Sequence, residues 1–147
     1  MGQSLVQNYL HIVFQTKNHG KFILPDFEDT LYDYLGGICR SLKSPSIIVG
    51  GHVDHVHILC RLSQSISLSQ FTQKIKSSSS KWVKSHSPNF FWQDGYGAFS
   101  VSQSHVDPLI NYIKNQHVHH QQKTFKEEYV ELLKKYNLDY NENYLWT

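Results

Sequence analysis

The order of the predicted strands and helices is the feature of this sequence that most restricts its fold. Runs rich in β-branched and aromatic residues predict strands over 8–16, 46–50, 55–62 and 98–103. Apolar residues at helical spacing predict one helix from Asp26 to about residue 44 and another over 68–83. The order β-α-β-β-α-β predicts an α+β fold, the ferredoxin-like split βαβ sandwich, with a four-stranded antiparallel sheet and helices on one face.

Further helices are predicted after the fourth strand. Asp107 and Pro108 have the residue types of an N-cap and a first helical position, so they predict an extra helix that carries Tyr112. Thr124 and Glu127 form a capping-box pattern that predicts a last helix. The aromatic tail over 140–146 is expected to dock on the rest of the molecule.

Length and composition indicate a single domain over residues 1–147. No apolar run reaches the roughly 18 residues of a membrane span, so no membrane partner is expected. Cys39 and Cys60 are isolated in apolar surroundings, which predicts reduced core thiols and a cytoplasmic protein. The formal net charge of +2 is only mildly basic. Lys74 and Lys81, however, fall on one side of a predicted helix in a stretch without acids, beside the serines 77–80, and this pattern suits phosphate contacts as well as simple solvation.

A candidate metal site is predicted where His55 and His57 flank Val56 inside the third strand. Alternate residues of a strand share a face, so both imidazoles project together. On the later helix, Tyr112 and Gln116 are four residues apart and therefore neighbours. A phenol, two imidazoles and an amide oxygen could meet there. A purely structural role for the two histidines is the alternative, because His-x-His is short and recurs at 117–119.

Several longer segments point to one family. They are HIVFQTK (11–17), DHVHIL (54–59), Ile75-Lys76 with the serines 77–80, FWQDGY (91–96), YIKNQ (112–116) and the pair His119-His120. In these segments, and over nearly its whole length, the chain resembles the single-tyrosine HUH transposases of small hairpin-ended insertion sequences, the insertion sequence 200/605 group.

The resemblance implies a function and roles for these residues. His55, His57 and Gln116 would bind one Mg²⁺ or Mn²⁺, and Tyr112 would attack a DNA phosphate to form a 5′-phosphotyrosine. The implied activity is cleavage and rejoining of single-stranded DNA at hairpin-bearing ends, without a nucleotide cofactor. The implied assembly is a homodimer, in which Tyr112 is expected to cross to the partner. We expect DNA contacts from Lys17, Lys74 and Lys81, and His119 could support the site or contact DNA.

Three alternatives remain open from the sequence. A domesticated relative could nick or bind hairpins without transposing. The ferredoxin-like sheet is also the architecture of RNA-recognition domains, although the first strand offers a poor stacking surface. A zinc enzyme could use His55 and His57 with His119 or His120, since three nitrogen ligands favour zinc.

Overall fold

The computed structural model describes residues 2–146, and its centre is a four-stranded antiparallel sheet. The strands are β1 (Tyr9–Gln15), β2 (Ser46–His52), β3 (His55–Arg61) and β4 (Gly97–Val101), in the order β2-β3-β1-β4. The central strands are therefore β1 and β3, as the split βαβ order requires. The predicted α+β, ferredoxin-like fold is confirmed.

Two helices cover one face of the sheet and enclose the main core. They are α1 (Glu28–Ser41) and α2 (Leu68–Lys84), and their apolar side chains pack against Ile12, Val56 and Ile58 of the central strands. Helix α1 begins two residues after the predicted Asp26, because residues 25–27 form a turn before it.

The opposite face is covered by the C-terminal helices α3 (Val106–Lys114), α4 (Gln116–His119), α5 (Phe125–Lys135) and α6 (Glu142–Leu145). The predicted capping box of Thr124 and Glu127 is present at α5. The predicted N-cap at Asp107 is wrong. A 3₁₀ turn over Gln103–His105 leads directly into α3, so the helix begins at Val106, two residues before the predicted first position Pro108, and Asp107 lies in its first turn.

Two glycines allow these helices to approach the sheet closely. A Cβ atom on Gly50 of β2 would lie 2.8 Å from the Ile113 side chain and 3.0 Å from the Ile113 carbonyl oxygen of α3. A Cβ atom on Gly97 of β4 would lie 2.8 Å from the Tyr129 ring of α5. Any side chain at either position would push its helix outward, away from β3.

The aromatic tail docks as predicted. The carbonyl oxygen of Leu145 accepts hydrogen bonds from Gln93 Nε2 at 2.8 Å and Gln15 Nε2 at 3.3 Å. The Trp146 ring lies 6.0 Å from the Tyr129 ring, centroid to centroid. Through these contacts α6 holds α5 against the sheet. Among residues 2–146, none of the helices has the length and apolarity needed to cross a bilayer.

Candidate active site

The two strand histidines point toward the C-terminal helices, on the sheet face opposite α1 and α2. Both have an exposure of 0%, whereas Val56 between them packs into the main core on the other side. Strand alternation predicted that the two imidazoles would share one face, and they do. The helix that carries Tyr112 covers them, with Ile113 packed against Leu59 of β3.

Each histidine is oriented by a partner on its Nδ1 atom. Asp54 Oδ1 lies 2.8 Å from His55 Nδ1, and His11 Nε2 lies 2.8 Å from His57 Nδ1. In both rings the Nε2 atom therefore faces the interior of the site. Burial lowers the pKa of His55 to about 4, so its imidazole is neutral and can donate a lone pair to a metal ion.

Gln116 provides the predicted amide oxygen, but on a different helix from Tyr112. Its Oε1 atom lies 2.8 Å from His55 Nε2, and the side chain is buried. The prediction of one continuous helix is wrong, because Asn115, with φ −97° and ψ 21°, separates α3 from α4. Asparagine is a poor helix former. Because the helix is interrupted at Asn115, Gln116 begins the separate short helix α4, and its side chain is directed into the site.

Glu128 is the central site residue that the sequence prediction missed. It lies on α5, is 1% exposed, and its Oε1 atom is 3.3 Å from His57 Nε2 and 3.2 Å from His120 Nε2. Gln116 Nε2 donates a hydrogen bond of 2.9 Å to its Oε2 atom. The available signal was position, because Glu128 falls three residues after Phe125, on the core side of α5. The sequence predicted α5 as the last helix, whereas the short helix α6 follows it.

The nucleophile candidate joins the same carboxylate. The Tyr112 hydroxyl donates a hydrogen bond to Glu128 Oε2. Burial would by itself raise the pKa of Glu128, but hydrogen bonds from His120 and His57 hold it far below the usual range, so the carboxylate is ionised. Burial and this carboxylate raise the pKa of Tyr112, and the phenol keeps its proton until a base removes it.

The other predicted histidines lie at the edge of the cluster. His119 Nε2 is 3.4 Å from Glu128 Oε2, and His120 Nε2 is 2.9 Å from Gln116 Oε1. His117, by contrast, is exposed and contacts His52 and Glu28. The second His-x-His pattern therefore contributes one histidine to the edge of the site, and its other histidine points away.

The donor atoms are spaced as ligands of one metal ion would be. His55 Nε2 lies 2.8 Å from Gln116 Oε1 and 3.5 Å from Glu128 Oε1. Neighbouring ligand atoms about 2.1 Å from one ion are roughly 3.0–3.4 Å apart in octahedral or tetrahedral geometry. His55, His57 and Glu128 form one potential ion-binding group, and His119, His120 and Glu128 form another. The residues present thus fit a divalent ion.

A cavity of about 330 Å³ opens beside this cluster. Tyr112, Glu128, His11 and His119 contribute to its wall, together with residues of α3 and α5. A ligand that entered this cavity would contact Tyr112 and Glu128 at the edge of the histidine cluster.

The three predicted DNA-contact lysines are all exposed but lie in different places. Lys17 follows the end of β1, beside the start of β3, and its ammonium lies 5.9 Å from the centre of the exposed Phe91 ring. Lys74 and Lys81 lie on α2, in the helical layer on the other side of the sheet. The structure therefore brings Lys17 to the His55 end of the sheet and leaves Lys74 and Lys81 outside the site.

Fold and site together define a ferredoxin-like protein with a tyrosine beside a buried His-x-His cluster. The sequence profile of the family described as "Transposase IS200 like" matches residues 4–116, so this chain belongs to that family. The resemblance inferred from the motifs is thereby confirmed. The match ends at Gln116, and Glu128 lies beyond it. No curated protein matches the sequence.

Among the solved structures that share the fold are two described as transposases. One is a candidate transposase from Deinococcus radiodurans R1, 22% identical, with a TM-score of 0.63 over 79% of this chain and 96% of that one. The other is a REP-associated tyrosine transposase bound to a REP hairpin, 14% identical, with a TM-score of 0.59 over 82% of this chain and 73% of that one.

Proposed function

We propose that this transposase cleaves and rejoins single-stranded DNA through a 5′-phosphotyrosine formed on Tyr112. The observation that carries the proposal is one shared carboxylate. Glu128 accepts a hydrogen bond from the Tyr112 hydroxyl on Oε2, and its Oε1 atom lies 3.3 Å from His57 Nε2. A nucleophile and metal-binding atoms thus belong to a single cluster beside an open cavity, which is what phosphoryl transfer to a protein side chain requires.

His55, His57 and Gln116 would hold a Mg²⁺ or Mn²⁺ ion. Imidazole and oxygen donors together suit Mn²⁺, and oxygen donors suit Mg²⁺. When bound, such an ion supplies positive charge that polarises the scissile phosphate. Asp54 and His11 keep both Nε2 atoms directed at this position through the hydrogen bonds on Nδ1.

In the proposed cleavage step, the Tyr112 oxygen attacks the phosphorus while its hydrogen bond to Glu128 Oε2 orients the phenol. A bond forms between the Tyr112 oxygen and the phosphorus, the bond to the 3′ oxygen breaks, and the proton that Tyr112 loses ends on that oxygen as the free 3′-OH. In rejoining, a 3′-OH attacks the phosphotyrosine and the Tyr112 oxygen leaves. Each step exchanges one phosphoester bond for another, so no nucleotide cofactor is needed.

Family resemblance supports the choice of substrate and assembly. We propose that the DNA is single-stranded or hairpin-forming and that the active protein is a homodimer. The hairpin bound to the REP-associated relative agrees with this choice of substrate. Within the single chain described, Tyr112 already reaches its own histidine cluster, with its ring 5.8 Å from that of His57. We therefore propose that each chain uses its own Tyr112, and exchange of the tyrosine between subunits, which the family resemblance favours, is the alternative that mixed mutant dimers would test.

Lys17, Lys74 and Lys81 are proposed to contact DNA phosphates. Replacing each by alanine should weaken binding of all sequences and reduce the salt dependence by about one phosphate contact per lysine. Because Lys74 and Lys81 lie across the sheet from the site, they would contact the flanking hairpin, whereas Lys17 would contact DNA near the cleaved phosphate. Titration of labelled hairpin and unstructured single strands at several salt concentrations separates these roles.

The decisive experiment is a covalent-capture assay. Labelled single-stranded ends of the protein's own element are incubated with protein and Mg²⁺ or Mn²⁺ and analysed on denaturing gels. Tyr112→Phe should abolish the protein-linked DNA but leave hairpin binding near wild type, because only the attacking oxygen is lost. Tyr136→Phe is the matched control, since Tyr136 lines the same cavity. A protein-linked species that persists in Tyr112→Phe would refute the assignment.

A further inference from the structure

We infer that Glu128 is a direct ligand of the metal ion, so that the site is built from two imidazoles, an amide oxygen and a carboxylate. The inference rests on the proposed function, because it concerns the same metal site. It adds a residue from α5, which lies outside the part of the chain that matches the family profile.

Distances place one carboxylate oxygen among the other donor atoms. Glu128 Oε1 lies 3.3 Å from His57 Nε2 and 3.5 Å from His55 Nε2. Gln116 Oε1 lies 2.8 Å from the same His55 nitrogen. Atoms bound to one ion are separated by roughly 3.0–3.4 Å. An ion at the centre of the three residues would therefore have Glu128 Oε1 within reach without any rearrangement of the backbone.

Charge provides an independent reason. Glu128 is 1% exposed, and an ionised carboxylate in such a place is costly unless it is paired. Within residues 2–146, every ion pair of Glu128 is formed with a histidine, and neither Lys nor Arg reaches it. His120, 3.2 Å from Oε1, is one partner that can compensate this charge. Histidines that bind a metal must be neutral, so a divalent cation held by His55 and His57 would be the second.

The two oxygens of Glu128 would have different tasks. Oε1 faces His55 and His57, while Oε2 accepts hydrogen bonds from the Tyr112 hydroxyl and from Gln116 Nε2. A carboxylate that binds the ion through Oε1 would fix the distance between the ion and the nucleophile. Metal binding and the position of Tyr112 would therefore be coupled through one side chain.

Isothermal titration of Mn²⁺ into the full chain tests the inference. Glu128→Gln keeps the size of the side chain and removes its charge, and it should weaken Mn²⁺ binding at least about tenfold, since even residues that only orient ligands contribute about 10- to 100-fold. Glu127→Gln is the matched control. Glu127 is exposed on the same helix and only caps its N-terminus, a role that glutamine also fills. Its Mn²⁺ affinity should equal that of the wild type.

His57→Ala separates failure of the inference from failure of the proposed function. If His57→Ala loses Mn²⁺ binding while Glu128→Gln keeps wild-type affinity, the metal site stands and Glu128 is not a ligand. If His57→Ala also keeps wild-type affinity, the proposed metal site itself is wrong. Increased DNA cleavage by Glu128→Gln at unchanged affinity would show that the carboxylate only blocks the site, and would likewise overturn the inference.

A measurement on the wild-type protein tests the inference without requiring any variant to fold. Anomalous diffraction from crystals soaked in Mn²⁺ locates the ion directly. Glu128 Oε1 should lie roughly 2.0–2.2 Å from the anomalous peak, together with His55 and His57 Nε2. A peak bound by both histidines with neither oxygen of Glu128 in contact would overturn the inference.

Discussion

Replacing His11 by phenylalanine should weaken Mn²⁺ binding by about 10- to 100-fold, although His11 is not itself a metal ligand. His11 Nε2 shares a hydrogen bond of 2.8 Å with His57 Nδ1, and both rings are buried. For His57 to bind an ion through Nε2, its proton must lie on Nδ1 and be donated to His11. Burial, together with the neighbouring His57, lowers the pKa of His11 well below its ordinary value, so His11 stays neutral and can accept.

The expected size follows from the hydrogen bond that is lost. Phenylalanine fills the ring volume but leaves the Nδ1–H of His57 buried without an acceptor, which costs about 1–3 kcal/mol. A 10- to 100-fold loss of affinity corresponds to about 1.4–2.7 kcal/mol. The two energy ranges agree. The tautomer of His57 that binds the metal ion carries its proton on Nδ1, and this same tautomer needs His11 as the acceptor.

Calorimetric titration with Mn²⁺ measures the loss, and urea unfolding without metal measures any change in stability. His11→Gln is the control, because its amide oxygen can again accept from His57 Nδ1 and should restore part of the affinity. Asp54→Asn provides a comparison at the other histidine, where the acceptor is a carboxylate 2.8 Å from His55 Nδ1. Wild-type Mn²⁺ affinity in folded His11→Phe would refute the reasoning.

Three further predictions follow from the packing. Gly50→Ala should lower the free energy of unfolding by about 1–3 kcal/mol in urea titrations, since its Cβ would lie 2.8 Å from α3, while Gly2→Ala, with open space around it, should change nothing. Burial raises the pKa of both cysteine thiols to about 12, so the native chain should resist thiol reagents at pH 8. Between about pH 9 and 12 the unfolded chain binds fewer protons than the folded one, and stability should fall as pH rises, by up to about 1.4 kcal/mol per pH unit for each thiol. Coexpressed Tyr112→Phe and His57→Ala chains should form no covalent DNA adduct. Helix α3 packs on the sheet of its own chain, so each site lacks either the tyrosine or one histidine. An adduct on the His57→Ala chain would establish that Tyr112 is exchanged between subunits.

The sequence was sufficient to predict the sheet, because the residue pattern within each strand and the order of strands and helices along the chain do not depend on tertiary contacts. It also singled out His55, His57 and Gln116, which lie in two short segments and which the structure brings together. Glu128 escaped prediction because its role depends on a contact across 71 residues with His57. His11 was likewise predictable only as a polar residue of a central strand. The contact between His11 and His57 depends on the pairing of β1 with β3, in which Val13 lies opposite His57.

The helix break at Asn115 is a second feature that the sequence did not predict. Spacing of four residues correctly placed Tyr112 and Gln116 near each other, yet the sequence did not show that one helix ends between them. The break depends on Gln116 being drawn into the buried site, where its oxygen contacts His55 and His120. Local propensity makes such a break possible, and tertiary contacts determine where it occurs.

The position of Glu128 late in the chain has a consequence for the order in which the site is completed during synthesis. A growing chain that has emerged only as far as Gln116 already contains both strand histidines, the tyrosine and the amide, but not the carboxylate that contacts all of them. That carboxylate arrives with α5, and α5 in turn contacts Trp146 of the tail, which is anchored to Gln93 through the Leu145 carbonyl. Nascent or truncated chains would therefore carry a tyrosine without its buried partner, and the cluster would be assembled only after the C-terminal helices had docked.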